Sequence, residues 1–139
     1  MPVYHLFQIR PDAEQLRALR TNEKPELAAA WLSGRLGQIA GALEQDLYRF
    51  TAIVKARDLE DLFYKTNAID APWTDGPAVL HVEPGAQSTS VGDVAVDLEA
   101  DEASLCAVLG WEVLSWDRAQ DFHVKASQLP IPEENAPAP

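Results

Sequence analysis

The chain has one cysteine, few basic residues in its second half and no long apolar run. Cys106 cannot form an internal disulfide, and its apolar neighbours in 105–109 predict a buried free thiol, which suits a reducing compartment. No uninterrupted apolar segment approaches the roughly 18–20 residues of a membrane span. The first residues also lack the basic stretch and apolar run of a signal peptide. These absences predict a cytoplasmic protein.

The sequence also lacks the spacing of a metal or phosphate site. His5, His81 and His123 are far apart and have no metal-ligand spacing, so structural histidines are predicted rather than a zinc site. The glycines within 34–41 lack the Gly-Lys-Ser/Thr ending of a phosphate loop. Acids at alternate positions in 97–101 match the start of a calcium loop, but the required glycine and final glutamate are missing. No metal and no cofactor are predicted.

A catalytic nucleophile is not predicted either. Cys106 lies in an apolar strand within an acidic half, which raises a thiol pKa instead of lowering it. The serines of 88–90 lack the Gly-x-Ser-x-Gly elbow of serine hydrolases. The prediction is therefore that the protein is not an enzyme. An enzyme or small-ligand binder built from scattered residues is kept as an alternative.

Acidic residues are concentrated in residues 71–139. The formal net charge is −11; residues 1–70 hold nine lysines and arginines against ten acids, whereas residues 71–139 hold two against twelve. The densest stretch runs from Asp93 to Glu102. A local acidic field repels nucleic acid and attracts basic surfaces. The predicted partner is a basic protein surface, with no direct nucleic acid and no membrane.

Hydrophobic periodicity predicts a single α+β domain. The predicted segments are strands at 3–10 and 48–56, helices at 11–20 and 25–43, a helix capped by Asp58, and strands at 78–82, 93–99, 104–109 and 111–116, with 117–128 left open. The expected fold places the helices on one side of a mainly antiparallel sheet, and the second half is rich in β-structure. The domain is predicted to span 1–128, and 129–139 is predicted to be a disordered, proline-rich acidic tail.

Three stretches together resemble a known group of sequences. They are Asp58-Leu-Glu-Asp-Leu-Phe with Thr66-Asn67 and Ala71-Pro-Trp, Ser88-Thr-Ser-Val-Gly-Asp-Val, and Cys106 followed by Gly110-Trp-Glu. Their order resembles small bacterial proteins related to the YodL-like family, over roughly residues 45–115. The resemblance implies a plasmid, phage or conjugative element as the context, and it implies no catalytic residues.

The acidic stretch and the tryptophans supply the candidate interaction residues. A tryptophan beside an acid can anchor a basic partner, because aromatic residues are common in interface hot spots. The candidate interface residues are Asp93, Asp97, Glu99, Asp101, Glu102, Trp111 and Glu112. The predicted function is that of a non-catalytic acidic protein that inhibits a host or rival nucleic-acid-binding complex, of the anti-CRISPR or anti-defence type.

A second interpretation assigns no binding role to the charge. The protein would then be an accessory or regulatory module of a plasmid or phage, assembling through apolar and tryptophan surfaces such as Trp73, Trp111 and Trp116. The charge would serve solubility alone. Homo-oligomerisation fits this interpretation, and the two hypotheses differ in the salt dependence of binding that each expects.

Overall fold

A computed structural model describes residues 1–132 of the chain. Its strands are β1 (Val3–Ile9), β2 (Tyr48–Lys55), β3 (Val79–Val82), β4 (Val94–Asp97), β5 (Glu102–Ala107) and β6 (Gly110–Val113). Its helices are α1 (Ala13–Thr21), α2 (Pro25–Gly34), α3 (Ala40–Glu44), α4 (Leu59–Lys65) and α5 (Trp116–Ser127), with a 3-10 turn at Trp73–Asp75. The α+β class is therefore confirmed.

The six strands form one sheet in the order β3-β2-β1-β4-β5-β6. Every neighbouring pair is antiparallel. The N-terminal strand β1 is central, so that Phe7 lies opposite Phe50 on one side and Val94 on the other. β3 and β6 are the two edge strands, which places the β4-β5-β6 meander at one side of the molecule.

Helices cover both faces of the sheet. On the first face α1, α2, α3 and α5 pack on a core that includes Phe7, Val94 and Phe122. On the second face α4 packs through Leu62 on a smaller core that includes Leu6, Ala95 and Val54. A single helical layer was expected, but the central strands bury side chains on both faces, and the second face is therefore covered by α4.

The predicted helix at 25–43 divides into α2 and α3. α2 ends at Gly34, and the turn that follows contains Gly37, whose φ is +90°. A positive φ is strained for residues with a side chain, so the glycine permits the turn between the two helices. The apolar periodicity continues across the break because both helices pack on the same face of the sheet.

The C-terminal part of the described chain ends in a helix. Residues 117–128, left open by the sequence, lie within and just after α5, and the strand predicted to reach 116 ends at Val113. The predicted tail begins at Leu129, which packs against the first-face core, and its carbonyl oxygen lies 2.7 Å from Nε2 of His5. Residues 133–139 of that tail lie outside the described residues.

Candidate functional site

The turn between β4 and β5 carries a dense group of carboxylates. We call Asp97, Glu99, Asp101 and Glu102 the acidic hairpin. Asp97 and Glu102 are directly opposite each other in the antiparallel ladder. The turn is closed by Ala100, whose backbone N–H donates to Oδ1 of Asp97 over 3.2 Å, and by Asp101 in the left-handed region with φ +57°. Like charges in directly opposite positions destabilise a hairpin, so this arrangement has a cost in the isolated protein.

The start of α4 adds further acids beside the hairpin. Asp58 caps the helix, because its Oδ1 accepts from the backbone N–H of Asp61 over 2.8 Å. Burial raises the pKa of Tyr4, and the negative charges of Asp97, Asp58 and Glu102 raise it further. Tyr4 belongs to the second-face core. Tyr4 is therefore within the electrostatic reach of acids from both α4 and the hairpin.

The acids differ in how far the protein neutralises them. Asp61 is buried, and its carboxylate is paired with Arg57 at 3.4 Å and with Lys65 at 3.1 Å. A hydrogen bond from the backbone N–H of Arg57, together with those cations, lowers the pKa of Asp61 to about 2. Across residues 1–132, by contrast, Asp97, Glu99 and Glu102 form no ion pair with a lysine or arginine. Their charge is therefore not neutralised by a lysine or arginine of this part of the chain.

Asp101 has a different neighbour. Its Oδ1 lies 3.6 Å from Nδ1 of His123, a buried residue of α5. This contact connects the acidic hairpin to the last helix. The pair carries opposite charges only when the imidazole is protonated.

Asp93 does not belong to the exposed acidic surface. It is 4% exposed, and its Oδ2 accepts from Nε2 of Gln8 over 3.0 Å and from the backbone N–H of Ser90 over 2.9 Å. Burial raises its pKa to about 7. The predicted alternation placed Asp93 on a solvent face. β4 is instead a central strand whose second face is covered, and this removes Asp93 from the interface.

The buried Asp93 holds the loop before β4. Gln8 connects Asp93 to this loop, because its amide also donates to the carbonyl of Gln87 over 2.8 Å and accepts from the N–H of Gln87 over 2.9 Å. Nearby, the hydroxyl of Thr66 at the end of α4 donates to the hydroxyl of Thr89 over 2.7 Å. These bonds join the loop to β1 and α4, and they assign Asp93 a structural role.

Trp111 and Glu112 lie on different faces of the sheet. Trp111 is half-buried against the second-face core, and it lies opposite the buried Cys106 of β5. Glu112 is exposed and lies opposite Leu105, whose side chain is in the first-face core. Of this pair, only Trp111 therefore shares the second face with Tyr4 and α4.

An apolar cleft lies beside Trp111 on that second face. It has a volume of about 450 Å³ and separates α4 from the β5-β6 hairpin. The residues that line it are Glu60, Phe63, Thr89, Ser90, Val91, Cys106, Ala107, Val108, Gly110 and Trp111. We call this the apolar cleft. Sequence reasoning missed it, although the apolar pair Val108-Leu109 directly before Gly110 was a usable signal for an exposed apolar turn.

The titratable groups that were considered for catalysis do not converge. Burial raises the pKa of Cys106 to about 11, and the charge of Asp93 acts in the same direction, so the thiol is protonated at neutral pH. His5 and His81 both contact Phe50 on the first face, whereas Cys106 lies on the second. Among residues 1–132 no cluster of three or more histidine, cysteine or acidic side chains could hold a metal ion.

Comparison of the chain with protein-family models, with curated proteins and with solved structures gives no match. The resemblance to the YodL-like family stays a prediction from the quoted motifs. Within the described residues, no helix combines the length and the apolar character that are needed to cross a bilayer.

Proposed function

We propose that this protein is a non-catalytic binding protein that engages a basic surface of a nucleic-acid-binding protein or complex through the acidic hairpin. The observation that carries the proposal is the pairing of Asp97 with Glu102 across the ladder, without a lysine or arginine partner for either among residues 1–132. The proposed location is the cytoplasm, where the free Cys106 thiol suits a reducing environment.

The geometry of the hairpin suits recognition of a basic groove. Adjacent strands lie about 4.8 Å apart, so Asp97 and Glu102 present two carboxylates side by side, with Glu99 and Asp101 in the turn beyond them. Lysines and arginines that bind phosphate groups also form strong hydrogen bonds with carboxylates. A bound cation would also relieve the repulsion between Asp97 and Glu102. Binding to such a groove would exclude the nucleic acid and inhibit the partner.

The sharper form of the proposal is an inhibitor that a plasmid or phage carries against a host or rival complex, of the anti-CRISPR or anti-defence type. It rests on the charge distribution and on the resemblance of the motifs at 58–73, 88–94 and 106–112. In this form the partner is a protein that already has a basic nucleic-acid site. The interaction would have a steep salt dependence, because several charge pairs form together.

A second candidate function is assembly through apolar surfaces. Leu109 is 95% exposed, and Val108, Val113 and Trp116 are also exposed near the edge strand β6. Exposed apolar groups at a sheet edge are typical of association surfaces. In this case the protein would be an accessory or regulatory module, and light scattering would show an oligomer whose mass does not change between low and high salt.

The experiment that tests the first proposal is an affinity pull-down from a nuclease-treated bacterial lysate at low and high salt. The bait is the full chain, and the comparison is a variant with Asp97→Asn, Glu99→Gln, Asp101→Asn and Glu102→Gln. Asparagine tolerates the left-handed backbone of position 101, so the turn is preserved. We expect a stoichiometric basic partner that is captured by the wild type at low salt and lost with the variant.

A matched control removes four acids elsewhere. The control changes exposed positions in or beside the helices of the first face, namely Glu14→Gln, Glu23→Gln, Glu26→Gln and Glu44→Gln. It removes the same number of negative charges as the hairpin variant does. If this control loses the partner as fully as the hairpin variant does, general charge is responsible and the hairpin mechanism is wrong. If the hairpin variant retains the partner, the proposal also fails.

A further inference from the structure

The apolar cleft is open to solvent although its lining is mostly apolar. Phe63 of α4 is 41% exposed and Val108 of the β5-β6 turn is 68% exposed, and both line it. Cys106 forms a buried part of the same lining. Together with Trp111 these residues leave space for one large apolar side chain, because about 450 Å³ exceeds the volume of any single side chain.

The cleft and the acidic hairpin lie on the same face of the sheet and are connected through β5. In β5 alternate side chains point to the same face, so Cys106 in the cleft and Glu102 in the hairpin share the second face, and Ser104 between them is buried at 3% exposure. Four residues of a strand span about 13 Å. Glu60 adds an acid to the wall of the cleft itself. One apolar site and one acidic site therefore lie on the same face at a separation that about four residues of an extended peptide can span.

We propose that the cleft and the hairpin together bind one extended segment of a partner protein, with a large apolar side chain in the cleft and a lysine or arginine about four residues away on the acidic hairpin. This rests on the proposed function, in which the hairpin binds a basic partner. Charge complementarity selects this occupant over a second copy of the chain. A second copy would bring another net charge of −11 and the same carboxylates to the contact.

The two parts of the surface make different contributions to such a complex. The charged contacts accelerate encounter and are screened by salt, whereas the apolar side chain is desolvated and slows dissociation. Loss of the cleft contact should therefore weaken binding at every salt concentration. Loss of the hairpin contact should remove the salt dependence.

The test is selection of a random twelve-residue peptide library, displayed on phage, against the full chain at low salt. We expect the enriched peptides to carry Phe, Trp, Leu or Met four positions from Lys or Arg. A synthetic copy of the most enriched peptide is then measured by calorimetry. We expect Phe63→Ser and Val108→Ser each to raise its Kd about tenfold, because each removes part of a buried anchor contact.

Tyr64→Ser is the matched control. Tyr64 is 76% exposed on the same helix and does not line the cleft, so its replacement should leave the Kd within about twofold. Circular dichroism establishes that each variant is folded. Because Val108 lies in an exposed turn outside α4, its variant decides the test even if Phe63→Ser unfolds the helix.

Each outcome separates this proposal from the one it rests on. The cleft proposal is overturned if no peptide is enriched, or if the enriched peptides are merely basic and bind Phe63→Ser and Val108→Ser as tightly as the wild type. If those peptides still lose binding with the hairpin variant, the hairpin proposal stands alone. If an enriched peptide depends on the cleft but binds the hairpin variant equally well, the combined surface is wrong and the acidic mechanism loses its support.

Discussion

At the scale of single residues, the local environment decides which acids are buried and which remain near the surface. Asp93 and Asp97 are four residues apart in the same alternating segment of the sequence. Asp93 is nevertheless 4% exposed and accepts a hydrogen bond from Gln8, whereas Asp97 lies at the end of β4 opposite Glu102. The pKa of the buried carboxyl rises to about 7, because burial disfavours its charged form more than its hydrogen bonds favour it. The buried acid has a structural role, whereas the acids at the end of the strand have no lysine or arginine partner among residues 1–132.

This contrast predicts a pH-dependent stability. The folded pKa of Asp93 exceeds its unfolded value of about 3.9, so the folded state binds the proton more tightly and loses stability as pH rises from about 4 through about 7. Asp93→Asn keeps an acceptor for Gln8 and Ser90 without a charge. The free energy of unfolding of the wild type should therefore fall as the pH rises, whereas that of the variant should not. We expect the difference, variant minus wild type, to increase by up to about 4 kcal/mol between about pH 4 and about pH 7.

Urea unfolding at intervals of pH measures this difference. Asp97→Asn is the control, since its partly exposed carboxyl lies at the end of the strand and should produce a smaller change. A difference between wild type and Asp93→Asn that is flat from pH 4 to pH 7 contradicts a raised pKa at Asp93.

At the scale of elements, the loop before β4 decides the position of the strand. Gly92 has φ +100°, and a Cβ at this position would lie 2.3 Å from the carbonyl oxygen of Gly34 at the end of α2. Gly92 also presents its carbonyl to the hydroxyl of the buried Tyr48. The loop is therefore in contact with α2 and β2 at one point. The acidic hairpin lies at the other end of β4, which is paired with β1 and β5.

The prediction at this scale compares two glycines with similar backbone conformations. Gly110 has φ +86° but has no atom within 4 Å of an added Cβ, whereas Gly92 would meet backbone. We expect Gly110→Ala to cost about 1 kcal/mol, from the backbone conformation alone. Gly92→Ala should cost more than about 3 kcal/mol, because a backbone contact must also move. Thermal unfolding measures both; equal losses in the two variants would show that the loop and α2 are not tightly packed.

At the scale of the whole molecule, the acidic hairpin opposes stability in the free protein. The chain carries a net charge of −11, and two of its carboxylates face each other across the ladder. Opposite like charges cost a few tenths of a kcal/mol up to about 1 kcal/mol. A surface that binds a basic partner can tolerate this destabilisation in the free protein, because the cations of the partner neutralise the repulsion between the carboxylates on binding.

We therefore expect Asp97→Asn with Glu102→Gln to stabilise the free protein by about 0.5 kcal/mol at low salt. The gain should disappear at about 0.5 M salt, where screening removes the repulsion. Chemical unfolding at the two salt concentrations measures it. The control pair Glu14→Gln with Glu23→Gln, in and after α1, should show a smaller gain. A loss of stability in the hairpin variant would mean that these carboxylates support the turn instead of straining it.

The sequence by itself determined the α+β class, β1, β2, the Asp58-capped helix and the acidic character of the second half, because periodicity, capping residues and charge are local properties. It also indicated the acids of the hairpin. Only the tertiary structure decided that α4 covers the second face, that Asp93 is buried and that Trp111 and Phe63 border one cleft. These features depend on strand order, which brings β4 to the centre and β6 to the edge. Strand order results from contacts between distant segments, and no local pattern in the chain encodes it.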